Sequence, residues 1–167
     1  YNYFDPERTP PVSDDRRKFK RETAEQRKEA LIVATLSLVA ENGVRGATVR
    51  AIAERANVTQ GLIRHYFSSK EDLIIAAYEH HMTQMTDQTF AYAAAVDHSA
   101  RDRLGALVNA SLRPPVADPR AVALWASFLN KVQQDAQMKA MHEHTYVYFR
   151  DQLQELIRAA LEEAGQQ

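Results

Sequence analysis

From residue 23 to residue 164 the apolar residues recur at helical spacing, and no run alternates in the way a half-buried strand requires. Seven helices follow. Thr23 with Gln26 makes a capping-box start, and Leu31, Ile32, Thr35, Leu38 and Val39 form the buried stripe of a helix that Gly43 stops after about Asn42. Val49, Ile52, Ala53 and Ala56 give a second, short helix with Thr48 as its N-cap. Asn57 tolerates the left-handed backbone of a tight turn. Thr59 caps a third helix that buries Ile63 and Phe67 and leaves Gln60, Gly61, Arg64 and His65 outward. Ser69 with Asp72 opens a long fourth helix from Lys70 to about Ala95, whose acidic first turn suits the helix N-terminus. Ser99 with Asp102 opens a fifth, carrying Leu104, Leu107, Val108 and Leu112 and ended by Pro114 and Pro115. Asp118 and Pro119 start a sixth, with Val122, Trp125, Leu129 and Val132 on one face. After a break near Asp135 a last helix runs from about Ala136 to Ala164.

The stretch from Thr48 to Lys70 has the form of a helix-turn-helix leading into a further helix. A short helix held by one small apolar seam, with polar and basic groups outward, suits the major groove of DNA. The same pattern also fits a helical hairpin with a merely solvated outer face. The expected organisation is a flexible basic arm over 1–22, which holds Pro6, Pro10 and Pro11, a helix-turn-helix domain over 23–69, and a helical regulatory domain over 70–167.

Charge sharpens this division. The net charge is −1, yet residues 1–70 carry 13 Lys and Arg against 9 Asp and Glu, whereas residues 71–167 carry 8 against 13. The basic excess lies with the helix-turn-helix, where phosphate contacts would need it. Arg16, Arg17, Lys18, Lys20 and Arg21 form a cluster that reads equally as a DNA-reaching arm or as a solvated tail. Hydrophobic residues make up 45% of the chain, enough for a core. The absence of Cys removes disulfides, thiolate metal sites and a cysteine nucleophile. No apolar run is long enough for a membrane span, and the polar start is unlike a signal peptide. The expected location is cytoplasmic. The chain does not begin with Met, which suggests a piece of a longer gene product.

Other chemistry finds little support. His80 and His81 are adjacent, and His142 and His144 are two apart; neither spacing brings two imidazoles onto one helix face, so no metal site is expected. There is no phosphate-binding Gly-rich loop, no nucleophile elbow and no convincing carboxylate pair. No cofactor and no catalytic residue are expected. A helical enzyme or small-molecule carrier is the rival reading from another class.

The stretch LIVATLSLVAENGVRGATVRAIAERANVTQGLIRHYFSSKEDL, from Leu31 to Leu73, resembles the DNA-binding domain of the tetracycline-repressor (TetR) family of one-component regulators. The residues that carry the resemblance are Gly43, Thr48-Val49, Ile52-Ala53, Val58, Tyr66-Phe67 and Lys70. The AVALWASF segment from Ala121 to Phe128 is similar, more loosely, to the choline-responsive BetI branch. The implied fold is all-α, an N-terminal three-helix helix-turn-helix domain joined to a C-terminal helical domain for ligand binding and dimerisation. The implied function is a repressor that binds a pseudo-palindromic operator as a homodimer and is released by a small-molecule effector. An activator or a ligand-independent regulator is the alternative within the family.

The resemblance also assigns roles. Helix three would lie in the major groove, where Gln60 can pair bidentately with adenine and Gly61 permits close backbone approach. Leu62 touches a thymine methyl or packs beneath the arm. Thr48 and Arg50 open the helix that crosses the phosphate backbone, Thr59 stands at the start of the reading helix, and Tyr66 and Lys70 match phosphate-contact positions. Arg64 departs from the Tyr usual there; it can reach a phosphate or fork onto guanine. His65 bonds a phosphate or is simply exposed. In the helical domain Met85, Tyr92, Trp125, Phe128, Tyr146, Tyr148 and Phe149 are the candidate effector lining, and an aromatic box of this kind would suit a cationic, choline-like ligand. Family members usually have two more helices after the seventh, so the regulatory domain is expected to be incomplete at its C-terminal end.

Overall fold

Every helix in the computed structural model starts on a side chain that catches a free backbone N–H. The structure describes residues 23–96 and 99–165, so the expected basic arm lies outside the described residues. Among them are seven helices and no strand: α1 (Ala24–Gly46), α2 (Val49–Arg55), α3 (Gln60–Tyr66), α4 (Lys70–Ala94), α5 (Ala100–Ser111), α6 (Pro119–Val132) and α7 (Ala136–Glu163). Thr23 Oγ1 accepts from the Gln26 N–H at 3.2 Å and Gln26 Oε1 accepts from the Thr23 N–H at 2.9 Å, the reciprocal pair of a capping box. Thr48, Thr59, Ser69 and Ser99 each accept from the N–H three residues on. Asp118 and Asp135 do the same two residues on, and Asp135 also reaches the Met138 N–H.

Two turns depend on particular backbone conformations. Gly43 takes φ 68° and ψ 175° and breaks the helix where expected, but a further turn forms beyond it, so α1 ends at Gly46 rather than near Asn42. Asn57 takes φ 53°, and the Val58 N–H closes the turn between α2 and α3 by donating to the Ala53 carbonyl at 2.9 Å.

One hydrophobic core runs through both expected domains. Leu31, Leu38 and Val39 of α1 meet Ile52 of α2, Ile63 of α3, and Leu73, Ile74, Ala77 and Tyr78 of α4. The same core continues into Leu124, Phe128 and Val132 of α6 and Met138 of α7. Helix α4 packs against α1, α5 and α7, and α6 packs against α1. Because the burial is shared, the hydrophobic effect holds the helix-turn-helix against the helical domain as well as holding each part together.

The face of α6 differs from the expectation. The buried stripe is Leu124, Phe128 and Val132, while Val122 and Trp125 are 50% and 42% exposed. The inward face is thus set about 100° from the expected one, a single residue step on a helix. Burying Phe128 against α1 and beside Tyr78 of α4 leaves Trp125, about 60° round the helix from it, on the partly exposed flank of α6. In α5, Leu107 is buried as expected, but Val108 and Leu112 are exposed. No described helix is long and apolar enough to cross a membrane.

Candidate nucleic-acid interface and helical-domain cavity

Helix α3 is held from below and bare above. Ile63 and Phe67 enter the core, and Lys28 of α1 sits 6.0 Å from the centre of the Phe67 ring, a cation–π contact that leaves the charge in water. Of the expected interface residues on α3, Gln60, Gly61, Arg64 and His65 are exposed, while Leu62 and Tyr66 are partly covered by the packing beneath.

The local contacts qualify each residue. Thr48 Oγ1 and Thr59 Oγ1 accept from the Ala51 and Leu62 N–H groups at 3.2 and 3.3 Å, so both hydroxyls still have a proton to donate outward. Arg50 Nε donates to Glu54 Oε1 at 2.9 Å, and this carboxylate raises the Arg50 pKa above its ordinary value. A phosphate contact by Arg50 competes with that bond. Arg64 has no ion-pair or hydrogen-bond partner among the described residues, which leaves its guanidinium free on the surface. His65 stands edge-on to Tyr66 with ring centres 5.0 Å apart. Lys70, the first residue of α4, is half-buried in a cleft that Asn42, Arg45, Asn130 and Lys131 also line. A Cβ placed on Gly61 would meet only Thr59 Oγ1, at 3.8 Å, so the fold itself does not require glycine there.

One contact between α1 and α2 had no sequence signal. Arg55 of α2 forks onto Glu41 of α1, with Nη1 to Oε1 at 2.9 Å and Nη2 to Oε2 at 2.6 Å. The hydrogen bonds from Arg55 hold the Glu41 carboxyl below its ordinary range. This bidentate pair links α2 to α1 at the surface, beside the core contacts of Ile52 and Ala53.

The helical domain holds a cavity of about 370 Å³ between α4, the segment after α5, and α6. His81, Met82 and Met85 line it from α4, Ser111 from the end of α5, and Val116 and Ala117 from the connection. Ala121, Val122 and Trp125 of α6 close the remaining side. Of the seven residues expected around an effector, Met85 and Trp125 are in this lining. The other five are placed elsewhere. Phe128 is fully buried on the core side of α6, 4.9 Å from the Tyr78 ring centre. Tyr148 donates its hydroxyl proton to Asp87 Oδ1 at 2.7 Å, and Phe149 packs edge-on to Phe90 at 5.6 Å. Tyr92 and Tyr146 are 55% and 62% exposed. The structure therefore does not gather the seven side chains into one aromatic box, because α6 turns Phe128 inward and α7 spreads its aromatics around its circumference. His81, Met82 and Ser111 were missed by sequence reasoning, although the 81, 82, 85 spacing on α4 marks one helix face.

Tyr78 joins α4 to α6 and α7 through Phe128 and His142. Burial pushes the pKa of its hydroxyl up to about 12, and the hydroxyl shares a hydrogen bond with His142 Nδ1 of α7 at 2.6 Å. No group of three or more His, Asp or Glu suited to a metal ion occurs among the described residues.

Comparison with known proteins follows the same division. Residues 31–77 match bacterial regulatory proteins of the tetR family, and residues 100–167 match the C-terminal region of BetI-type transcriptional repressors. The HTH-type transcriptional regulator BetI of Rhizobium meliloti (strain 1021) is 31% identical over 115 residues, 69% of this chain and 56% of that protein. Its counterpart in Burkholderia ambifaria (strain MC40-6) is 31% identical over 117 residues, 70% of this chain and 60% of that protein. The matched part of the chain thus spans less than two thirds of the length of these curated relatives. A solved structure from Pseudomonas aeruginosa PAO1, assigned as a transcriptional regulator, superimposes with a TM-score of 0.76 at 32% identity, covering 89% of this chain and 71% of that one. A regulator from Saccharomonospora viridis, solved in complex with choline, shares the fold with a TM-score of 0.70 at 18% identity, over 83% of this chain and 72% of that one. One match falls on the helices that carry the exposed α3 surface and the other takes in the α6 side of the cavity, and the chain belongs to the TetR family of bacterial regulatory proteins.

Proposed function

We propose that this chain is the DNA-reading and effector-sensing part of a transcriptional repressor that binds a pseudo-palindromic operator as a dimer and lets go when a small molecule enters the helical domain. The observation that carries the reading is the outer surface of α3. Gln60 and Arg64 stand exposed on a short helix that is anchored to the core by Ile63 and Phe67. Gln60 reads an adenine edge and Arg64 a guanine or a phosphate, while Thr48, Arg50, Thr59, His65, Tyr66 and Lys70 contact the backbone around them. Gly61 lets the helix approach closely, and Leu62 covers a thymine methyl. This assigns the protein to the compartment that holds the DNA, the cytoplasm.

Release follows from α6 as much as from α4. Helix α6 presents Val122 and Trp125 to the cavity and Leu124, Phe128 and Val132 to the core that contains α1. A ligand that fills the cavity better in one position of α6 than in another shifts the balance between those positions, and the shared core passes that shift to the reading heads. Dimerisation is supported by Tyr146, Ile157 and Leu161, exposed apolar residues that fall on one stripe of α7. The Saccharomonospora viridis neighbour was solved in complex with choline, which makes choline one of the compounds to test.

The test is binding of the purified protein to the DNA upstream of its own gene and of the adjacent genes, followed by mobility shift or fluorescence anisotropy across a salt series. Binding that weakens steeply with salt is expected. No salt-dependent binding to any of these fragments overturns the reading and favours a helical carrier or enzyme.

A further inference from the structure

We propose that the cavity between α4 and α6 takes an uncharged, largely apolar molecule with one hydrogen-bonding group, which His81 holds, and that it rejects permanent cations. The inference rests on the reading of this cavity as the effector site and adds the chemistry of its occupant. The lining is dominated by Met82, Met85, Val116, Val122 and Trp125. No described lining residue is Asp or Glu. A cation seated here would give up part of its water without meeting a counter-charge, which is unfavourable. Its remaining compensation would be the face of an aromatic cage. Among the described lining residues Trp125 is the one Phe, Tyr or Trp, because Phe128, Tyr148 and Phe149 are committed to Tyr78, Asp87 and Phe90.

The polar groups are of the kind that recognises a neutral ligand. His81 lines the cavity, and its ring nitrogens hydrogen-bond to no described residue. Burial, and secondarily the neighbouring His80, push its pKa below the ordinary imidazole value. A neutral imidazole has one N–H donor and one acceptor nitrogen, which together match a hydroxyl or an amide. Ser111 Oγ donates to the Leu107 carbonyl at 2.9 Å, so it is left with acceptor capacity only. The volume of about 370 Å³ lies at the lower end of the range for small-molecule sites.

Trp125 is the single tryptophan of the chain, so its fluorescence reports directly on the cavity. The probes are choline and 3,3-dimethylbutan-1-ol, which has the same shape with a carbon in place of the charged nitrogen. The neutral alcohol is expected to change the fluorescence saturably and to bind at least ~10-fold more tightly than choline. His81→Leu should weaken the alcohol severalfold, and His81→Gln, which keeps a donor and an acceptor, should restore most of that loss. Circular dichroism of both variants establishes that they are folded. Choline binding as tightly as the alcohol, or more tightly, overturns the proposal and leaves the cavity as an effector site. A fluorescence response to neither probe, at any concentration that leaves the helical content intact, overturns both the proposal and the reading of the cavity as a small-molecule site.

Discussion

Arg55 grips Glu41 through two parallel bonds, Nη1 to Oε1 at 2.9 Å and Nη2 to Oε2 at 2.6 Å, across fourteen residues of sequence. Both side chains reach solvent, so the pair adds little to stability; its value is orientation, since it links α2 to α1. Arg55→Ala should therefore weaken binding to every DNA sequence severalfold while leaving the preferred sequence unchanged. Anisotropy titrations against a small panel of sequences separate this from a loss of base reading, which would change the ranking.

The same pair gives a pH dependence of known sign. Arg55 holds the folded-state Glu41 carboxyl below the ordinary value of 4.5. Its stabilisation is complete above that value and disappears as the pH falls through the lowered one. Asp135, held low by the Met138 N–H and Lys131, fades in the same direction, so the comparison must be with Glu41→Gln rather than with the wild type alone. The difference in melting temperature between wild type and Glu41→Gln should shrink between ~pH 5 and ~pH 3. A difference that grows on acidification contradicts the assignment.

Local chemistry made much of this fold legible before any coordinates. Thr23, Thr48, Thr59, Ser69, Ser99, Asp118 and Asp135 mark helix starts because capping is decided within three residues, and Asn57 marks the turn because few side chains tolerate its backbone. The face of α6 was not legible. Apolar residues occupy both the 122, 125, 129, 132 set and the 124, 128, 132 set, and only packing against α1 and α4 chooses between them. The cavity lining was hidden for the same reason, since it is whatever α6 leaves uncovered once Phe128 has turned inward. The Arg55–Glu41 fork joins two helices, and nothing in either segment alone announces it. The exposed residues of α3 were readable because the two anchors, Ile63 and Phe67, define the buried side.

The orientation of α6 can be tested by truncation. Phe128 is fully buried beside Tyr78, so Phe128→Ala should cost about 3–5 kcal/mol of unfolding free energy. Trp125 lines an open cavity, so Trp125→Ala should cost about 1 kcal/mol. Urea unfolding followed by circular dichroism, which needs no tryptophan, measures both. The reverse order would restore the face on which Trp125 and Leu129 point inward.

Base reading and backbone contact should separate on the α3 surface. Arg64→Ala and Gln60→Ala should each reduce discrimination at one base position by about 1–3 kcal/mol and leave other positions alone. Lys70→Ala should weaken all sequences alike and lower the salt slope by about one unit. Quantitative binding to single-base operator variants at two or more salt concentrations distinguishes the classes. If Arg64→Ala behaves as Lys70→Ala does, Arg64 contacts a phosphate and carries no sequence information.

Gly61 sets stability against function at a single atom. A Cβ there would find only Thr59 Oγ1, at 3.8 Å, an ordinary contact, and its φ is not in the left-handed region. In an α-helix, alanine is favoured over glycine by up to about 1 kcal/mol. Gly61→Ala should therefore fold normally and melt at the same temperature or slightly higher. If the α3 backbone approaches the groove as closely as proposed, the added methyl group has room in the free protein but none against DNA. Operator affinity should then drop by at least ~10-fold, a loss of about 1.4 kcal/mol, in a protein that is no less stable. Unchanged affinity would mean that the DNA stands off from this part of α3, and the reading surface would then be centred on Gln60 and Arg64 alone.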